Sequence, residues 1–150
     1  MDRTTKIRNK IEELFISRKL AVLATSNAGQ PYTSLVAFWG TNDLKYLYFV
    51  TPKTTRKFAN LSNDNRVSML INNAINADDD FHDAISVTAI GASEEISGSL
   101  KEEVLIHYLN RHPFLEEFAR SPTCALIRVT VVSYYMVEKF QSVMELHIKS

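Results

Sequence analysis

The chain has 150 residues, 45% of them hydrophobic, which is enough for one domain with a well-buried core. Its 17 Lys and Arg residues balance its 17 Asp and Glu residues, so the chain as a whole should not attract nucleic acid or an anionic membrane. Any anion site must be local. The one cysteine, Cys124, excludes an internal disulfide and a zinc site of several thiolates, and its apolar neighbours indicate a buried strand.

The N-terminus predicts an amphipathic helix. An apolar stripe at positions i, i+4, i+7 and i+8 defines a helix over about residues 5 to 18, and it consists of Ile7, Ile11, Leu14 and Phe15. The segment has neither the apolar region of a signal peptide nor about 20 consecutive apolar residues. We therefore expect a cytoplasmic protein in which this helix covers the core.

Three apolar, β-branched runs follow, LAVLAT, YTSLVAFW and LKYLYFV, and turn residues separate them. They predict a meander of three strands. Pro52 and the run from Asn63 to Asn65 bracket a short helix over about residues 54 to 62, after which VSMLI resumes the sheet. Residues 72 to 83 predict a polar loop. The aspartates at 78 to 80 in this loop lack the ligand pattern of a calcium-binding EF-hand.

The second half of the chain completes a β-rich pattern. AISVTAIGASEEI predicts a strand, and Ser99 with Glu102 predicts a capping box for a helix whose apolar face carries Leu100, Val104 and Tyr108. CALIRVTVVSYYMVEKF predicts a long, bent strand that closes the sheet. About six strands with few helices favour a single, mainly β domain with peripheral helices, a six-stranded antiparallel barrel, over a doubly wound fold.

The segment Thr51-Pro52-Lys53-Thr54-Thr55-Arg56-Lys57 is the most informative for function. It joins a predicted strand to a predicted helix, and the helix dipole disfavours cations in a first turn by a few tenths to about 1 kcal/mol. A phosphate would offset that cost, because free N–H groups, the hydroxyls of Thr51 and Thr55 and a fork from Arg56 complete an anion cradle. The alternative is a solvated basic turn, since the segment has no glycine-rich loop.

The stretch from Leu20 to Asn73 resembles the pyridoxamine-5′-phosphate-oxidase-like, FMN-binding split-barrel superfamily. In that family a strand like PYTSLVAF runs along the ring of flavin mononucleotide (FMN). A strand end like YFVT precedes a hydroxyl–Arg–Lys phosphate clamp, and a strand like NRVSMLI follows its helix. The later SVTAIGASEE is similar to the family's G-x-A-E element. The resemblance implies a six-stranded antiparallel split β-barrel that holds FMN at a homodimer interface.

The resemblance also implies which residues bind the cofactor. The phosphate would be held by Thr51, Thr55, Arg56 and Lys57. The ring and ribityl chain would contact Ser34, Leu35, Val36 and Val50, while Asn72 and Ser86 would reach from the partner subunit. Trp39 is a further candidate neighbour of the ring.

The C-terminal segment departs from the true oxidase. There, a tail with tryptophan, arginine and histidine binds the substrate's phosphate, whereas FQSVMELHIKS contains no Trp or Arg. Since a doubly charged substrate phosphate needs a second cationic clamp, we do not expect pyridoxamine-5′-phosphate oxidase activity. The leading hypothesis is an FMN-dependent oxidoreductase acting on an unidentified small molecule. The alternatives are a non-catalytic FMN carrier and a related barrel that binds a deazaflavin cofactor or haem.

No motif identifies catalytic side chains or a metal site. His107 and His112 are five residues apart and do not share a helix face. Because related barrels bind haem, His82 and His147 stay open as haem ligands. The chain has no Gly-x-Ser-x-Gly motif, nucleophilic Cys–His pattern or obvious carboxylate pair. This absence fits a flavoprotein, because the flavin itself performs hydride or electron transfer.

Overall fold

The computed structural model describes residues 2–149. Six antiparallel strands form a ring in the order β3-β2-β1-β4-β5-β6, which closes through pairing of β3 with β6. The strands are β1 (Leu20–Asn27), β2 (Gln30–Gly40), β3 (Tyr46–Pro52), β4 (Arg66–Asn72), β5 (Ile85–Ile96) and β6 (Cys124–Glu138). The prediction of a mainly β fold with a six-stranded antiparallel barrel is therefore confirmed.

Helices lie at the periphery of the barrel. They are α1 (Arg3–Ser17), α2 (Arg56–Asn63), α3 (Asp80–Asp83), α4 (Gly98–Arg111) and α5 (Glu116–Arg120), with a 3₁₀ turn at Pro113–Leu115. Among residues 2–149, no helix is long and apolar enough to cross a membrane.

The main core fills the barrel, because alternate side chains of each strand point inwards. Leu23, Met69 and Ala89 lie opposite one another on β1, β4 and β5, and none is exposed to solvent. The predicted stripe of α1 packs on this core through Ile7, Ile11 and Leu14. A second, smaller core lies between α4 and the outer faces of β3 and β6.

A seventh strand, β7 (Ser142–His147), is absent from the sequence prediction. It pairs with the second half of β6, outside the ring. The turn before it places Lys139 and Phe140 at φ values of 51° and 59°, a conformation that hairpins usually give to Gly or Asn. The turn therefore carries no recognisable signal, and β7 depends on its pairing with β6.

The predicted capping box is wrong. Ser97 occupies the N-cap of α4 and Ser99 lies inside the helix. Gly98 adopts a φ of 68°, which a glycine tolerates readily, so the chain turns from β5 into α4 before Ser99 can cap it. The predicted loop of residues 72 to 83 contains one short helix, α3, whose Asp80 carboxylate accepts N–H bonds from the turn before it.

Candidate anion and cofactor site

Two threonine hydroxyls shape the turn between β3 and α2. Thr55 caps α2: its Oγ1 accepts the N–H of Phe58 at 3.3 Å and donates to the carbonyl of Pro52 at 2.9 Å. The hydroxyl of Thr51, which is fully buried, lies 2.9 Å from Thr55 Oγ1. Both hydroxyls are therefore used within the turn, and they hold the start of α2 against the end of β3.

The first two residues of α2 present positive charge without a counter-charge. Arg56 and Lys57 occupy the positions whose backbone N–H groups have no partner within a helix. Within residues 2–149, neither side chain lies within 4.0 Å of a carboxylate. Partial burial lowers the pKa of Lys57. Lys53, by contrast, lies 3.7 Å from Glu95. The end of α2 therefore has the donors and the charge that bind an anion.

The barrel opens beside this basic turn. β2 pairs with β1 along Gln30–Ala37, but it pairs with β3 only along Phe38–Gly40. β3 itself stays paired with β6 as far as Pro52. We call the space between the unpaired part of β2 and the end of β3 the gap. Continuing the register of Phe38 opposite Phe49 would place Ala37 opposite Val50 and Val36 opposite Thr51. The structure therefore brings these predicted site residues to the two sides of the gap.

Tyr108 of α4 bridges the gap where the pairing stops. Its hydroxyl donates to the carbonyl of Ala37 at 2.9 Å, and the backbone N–H of Val50 bonds to the same oxygen. Burial raises the pKa of this phenol well above its usual value, which the bond from Val50 partly opposes. The sequence analysis placed Tyr108 only on an apolar helix face. The signal it missed was the hydroxyl, which needs a partner when it is buried.

The three predicted contacts on β2 differ in orientation. The side chain of Leu35 is 62% exposed on the outer face of the barrel, whereas Val36 is buried. The hydroxyl of Ser34 is enclosed and has no hydrogen-bond partner within residues 2–149. Of the three, Leu35 is therefore the residue whose side chain an external ligand meets directly.

Asn72 and Ser86 lie apart from the basic turn within one chain. They are directly opposite each other on β4 and β5, and β1 and β2 separate them from β3. Both line a cleft of about 200 Å³ together with Val137 and Phe140. The proposed contact of these two residues with a cofactor would therefore have to come across a subunit interface.

The remaining candidates have packing partners of their own. The indole of Trp39 stacks on the rings of Tyr48 and His107, with centroids 5.4 and 5.0 Å away. His147 bonds to Ser133 and Glu145. Between residues 2 and 149 no cluster of three or more His, Cys, Asp or Glu side chains is arranged to hold a metal ion.

A closed antiparallel barrel with peripheral helices and a basic turn beside a local opening defines the class of protein. The chain belongs to the family described as pyridoxamine 5′-phosphate oxidase, whose profile matches residues 7–138. The suspected resemblance is therefore confirmed at the level of the family. No curated protein sequence matches the chain.

Solved structures with the same fold include proteins with different bound groups in their names. A heme binding protein from Mycobacterium smegmatis has a TM-score of 0.82 and 17% identity, over 93% of this chain and 57% of that one. HutZ, the heme storage protein from Vibrio cholerae, has a TM-score of 0.73 and 18% identity, over 91% and 92% of the two chains. A FAD-binding protein from Mesorhizobium loti has a TM-score of 0.65 and 17% identity, over 85% and 91%. At these identities the likeness shows the fold alone.

Proposed function

We propose that this protein binds FMN by its phosphate at the start of α2 and uses it as an oxidoreductase of an unidentified small molecule. The observation that carries the proposal is the pair Arg56 and Lys57, which lack counter-charges beside the gap in the barrel. A phosphate fits this donor set, because two free N–H groups, one guanidinium fork and one ammonium group converge at the positive end of a helix dipole.

Each residue of the site has a distinct part in this proposal. Arg56 and Lys57 hold the phosphate directly, while Thr51 and Thr55 fix the turn that presents it. The gap lies next to the turn, so the ribityl chain and ring would follow the edge of β2 past Leu35. Bound FMN would supply hydride or electron transfer, and the protein would bind and orient it.

The geometry of the C-terminal segment supports a substrate other than pyridoxamine 5′-phosphate. Residues 142–147 form an edge strand on β6. Its histidine, His147, bonds to Ser133 Oγ at 2.8 Å and lies 3.1 Å from a carboxylate oxygen of Glu145. This segment therefore offers a partnered histidine where the true oxidase has a cationic tail.

We also propose a homodimer, with the site at the interface. The outer faces of the strands carry large, exposed apolar side chains, and these side chains are Leu20, Leu35, Ile90, Val132 and Val143. Exposed apolar surface of this extent on neighbouring strands is typical of an interaction surface. A two-fold dimer would cover it and would bring Asn72 and Ser86 of one chain towards the gap of the other.

Haem is the second candidate ligand. The observation that favours it is the fold shared with a heme binding protein and a heme storage protein. His82 and His147 are both exposed on the surface and are available as axial ligands. A flavin carrier without turnover and a protein that binds a deazaflavin use the same basic turn and are separated from the main proposal by assay.

The test is a titration of the purified protein with FMN, riboflavin, a deazaflavin cofactor and haemin, followed by calorimetry and absorbance. We expect FMN to bind with a dissociation constant below about 50 μM, or roughly −6 kcal/mol, and to bind more tightly than riboflavin. No FMN binding at that concentration refutes the proposal. A haem absorption band with no response to FMN supports haem instead. Steady-state turnover with a panel of reductants and acceptors separates an oxidoreductase from a carrier.

A further inference from the structure

We propose that the hydroxyl of Tyr108 is a spacer that sets the width of the gap and so positions the edge of β2 for the ligand. This inference rests on the proposed function for its ligand, although the spacing itself belongs to the protein alone. Tyr108 would be a positioning residue, because it acts through the backbone of β2 and β3.

The hydroxyl lies where the next main-chain pair would form. Ala37 and Val50 follow the last paired residues, Phe38 and Phe49, on the two strands. Their backbone groups do not meet directly. The carbonyl of Ala37 accepts from Tyr108 at 2.9 Å, and the N–H of Val50 bonds to the same oxygen. The two strands are thus held one oxygen atom apart at this level.

The peptide orientation on β2 shows what this spacing controls. The N–H of Phe38 points to β1, where it donates to the carbonyl of Lys19 at 3.1 Å. Neighbouring residues of a strand direct their peptide groups to opposite sides, so those of Ala37 and Leu35 point to β3. With Ala37 bonded to Tyr108, Leu35 is the next residue on this edge to face the gap. The position of the Tyr108 hydroxyl therefore decides where the open edge of β2 begins.

Packing fixes the hydroxyl in place. Tyr108 is 1% exposed, and its ring is enclosed by Val50, Val104 and Leu105 in the second core. A residue held in this way has little freedom to follow the strands. Without the oxygen, the carbonyl of Ala37 and the N–H of Val50 are both left unpaired. Unpaired buried groups are costly, and the register allows these two to pair with each other, which would close the gap by one step.

The chain offers a matched control for the hydroxyl. Tyr134 is also fully buried, and its hydroxyl donates to the carbonyl of Leu44 at 2.7 Å, which lies outside the gap. Tyr108→Phe and Tyr134→Phe therefore remove the same chemical group from equally buried sites. Both should lower the unfolding midpoint in urea, and only Tyr108→Phe should change the gap.

Amide hydrogen exchange of the ligand-free protein tests the spacer directly. We expect the N–H of Leu35 to exchange at least several-fold more slowly in Tyr108→Phe than in the wild type, because the strands approach each other. The same amide should be unchanged in Tyr134→Phe. Equal exchange of this amide in the wild type and both variants overturns the inference, whatever the protein binds.

Flavin titration then tests the consequence for the ligand. Tyr108→Phe should weaken FMN and riboflavin alike, by about tenfold, and should shift the visible spectrum of any bound flavin. Tyr134→Phe should do neither. Equal affinities and spectra for the two variants overturn the positioning role. If the wild type binds neither flavin while the exchange difference persists, the proposed function fails and the spacer stands.

Discussion

Replacing Arg56 with alanine should remove a directed contact with the FMN phosphate. Arg56 stands at the first position of α2, it is exposed, and it has no carboxylate within 4.0 Å in residues 2–149. The free protein therefore loses no ion pair in Arg56→Ala. Loss of a hydrogen bond between charged groups costs roughly 1.5 to 3 kcal/mol, so FMN affinity should fall by about tenfold to more than a hundredfold.

Lys53→Ala supplies the control for net charge, because it removes the same positive charge from the same turn. The ammonium group of Lys53 already lies 3.7 Å from Glu95, so it should affect FMN only through the screened field, by less than about 1 kcal/mol. Calorimetry of both variants at low and high salt measures the difference. Similar, salt-sensitive losses in the two variants would mean that only the general field matters.

Riboflavin, which lacks the phosphate, supplies the control for position. Its weaker binding should be nearly the same in Arg56→Ala and in the wild type. Equal losses of FMN and riboflavin affinity would show that Arg56 supports the ring pocket or the fold. The phosphate site proposed at the start of α2 would then be misplaced.

Three further predictions concern stability and assembly. Arg111→Ala should destabilise the fold by about 1.5 to 3 kcal/mol in urea unfolding, because its guanidinium donates to carbonyls at the end of α1 at 2.7 and 2.9 Å. Arg120→Ala, which breaks exposed ion pairs, should cost under about 1 kcal/mol. Burial lowers the pKa of His112 below 6.5, so the unfolded chain binds more protons there and stability should fall as the pH drops below 6.5. A variant His112→Gln with an unchanged pH profile would contradict this. Val132→Asp should reduce the dimer mass seen by light scattering, whereas Phe114→Asp, also at an exposed apolar position, should not. Equal behaviour would place the interface elsewhere.

Much of the fold was predictable because its signals are local. The period of Ile7, Ile11 and Leu14 specifies the buried face of α1 wherever the helix docks. The long β-branched run from Cys124 became the strand that closes the ring, as predicted. The basic residues at the start of α2 were also visible, since a helix start and its charges lie within a few residues of each other.

The gap and its spacer depended on the tertiary structure, because they arise between segments that are distant in the sequence. Ala37 and Tyr108 are 71 residues apart, yet one hydrogen bond joins them. No sequence period marks the point where β2 leaves β3, since that point depends on which partner each backbone group finds. The burial of Thr51 and the formation of β7 were decided in the same way, by neighbours supplied from elsewhere in the chain. The sequence determined which groups were present at the site, and the strand pairing determined which of them face the gap.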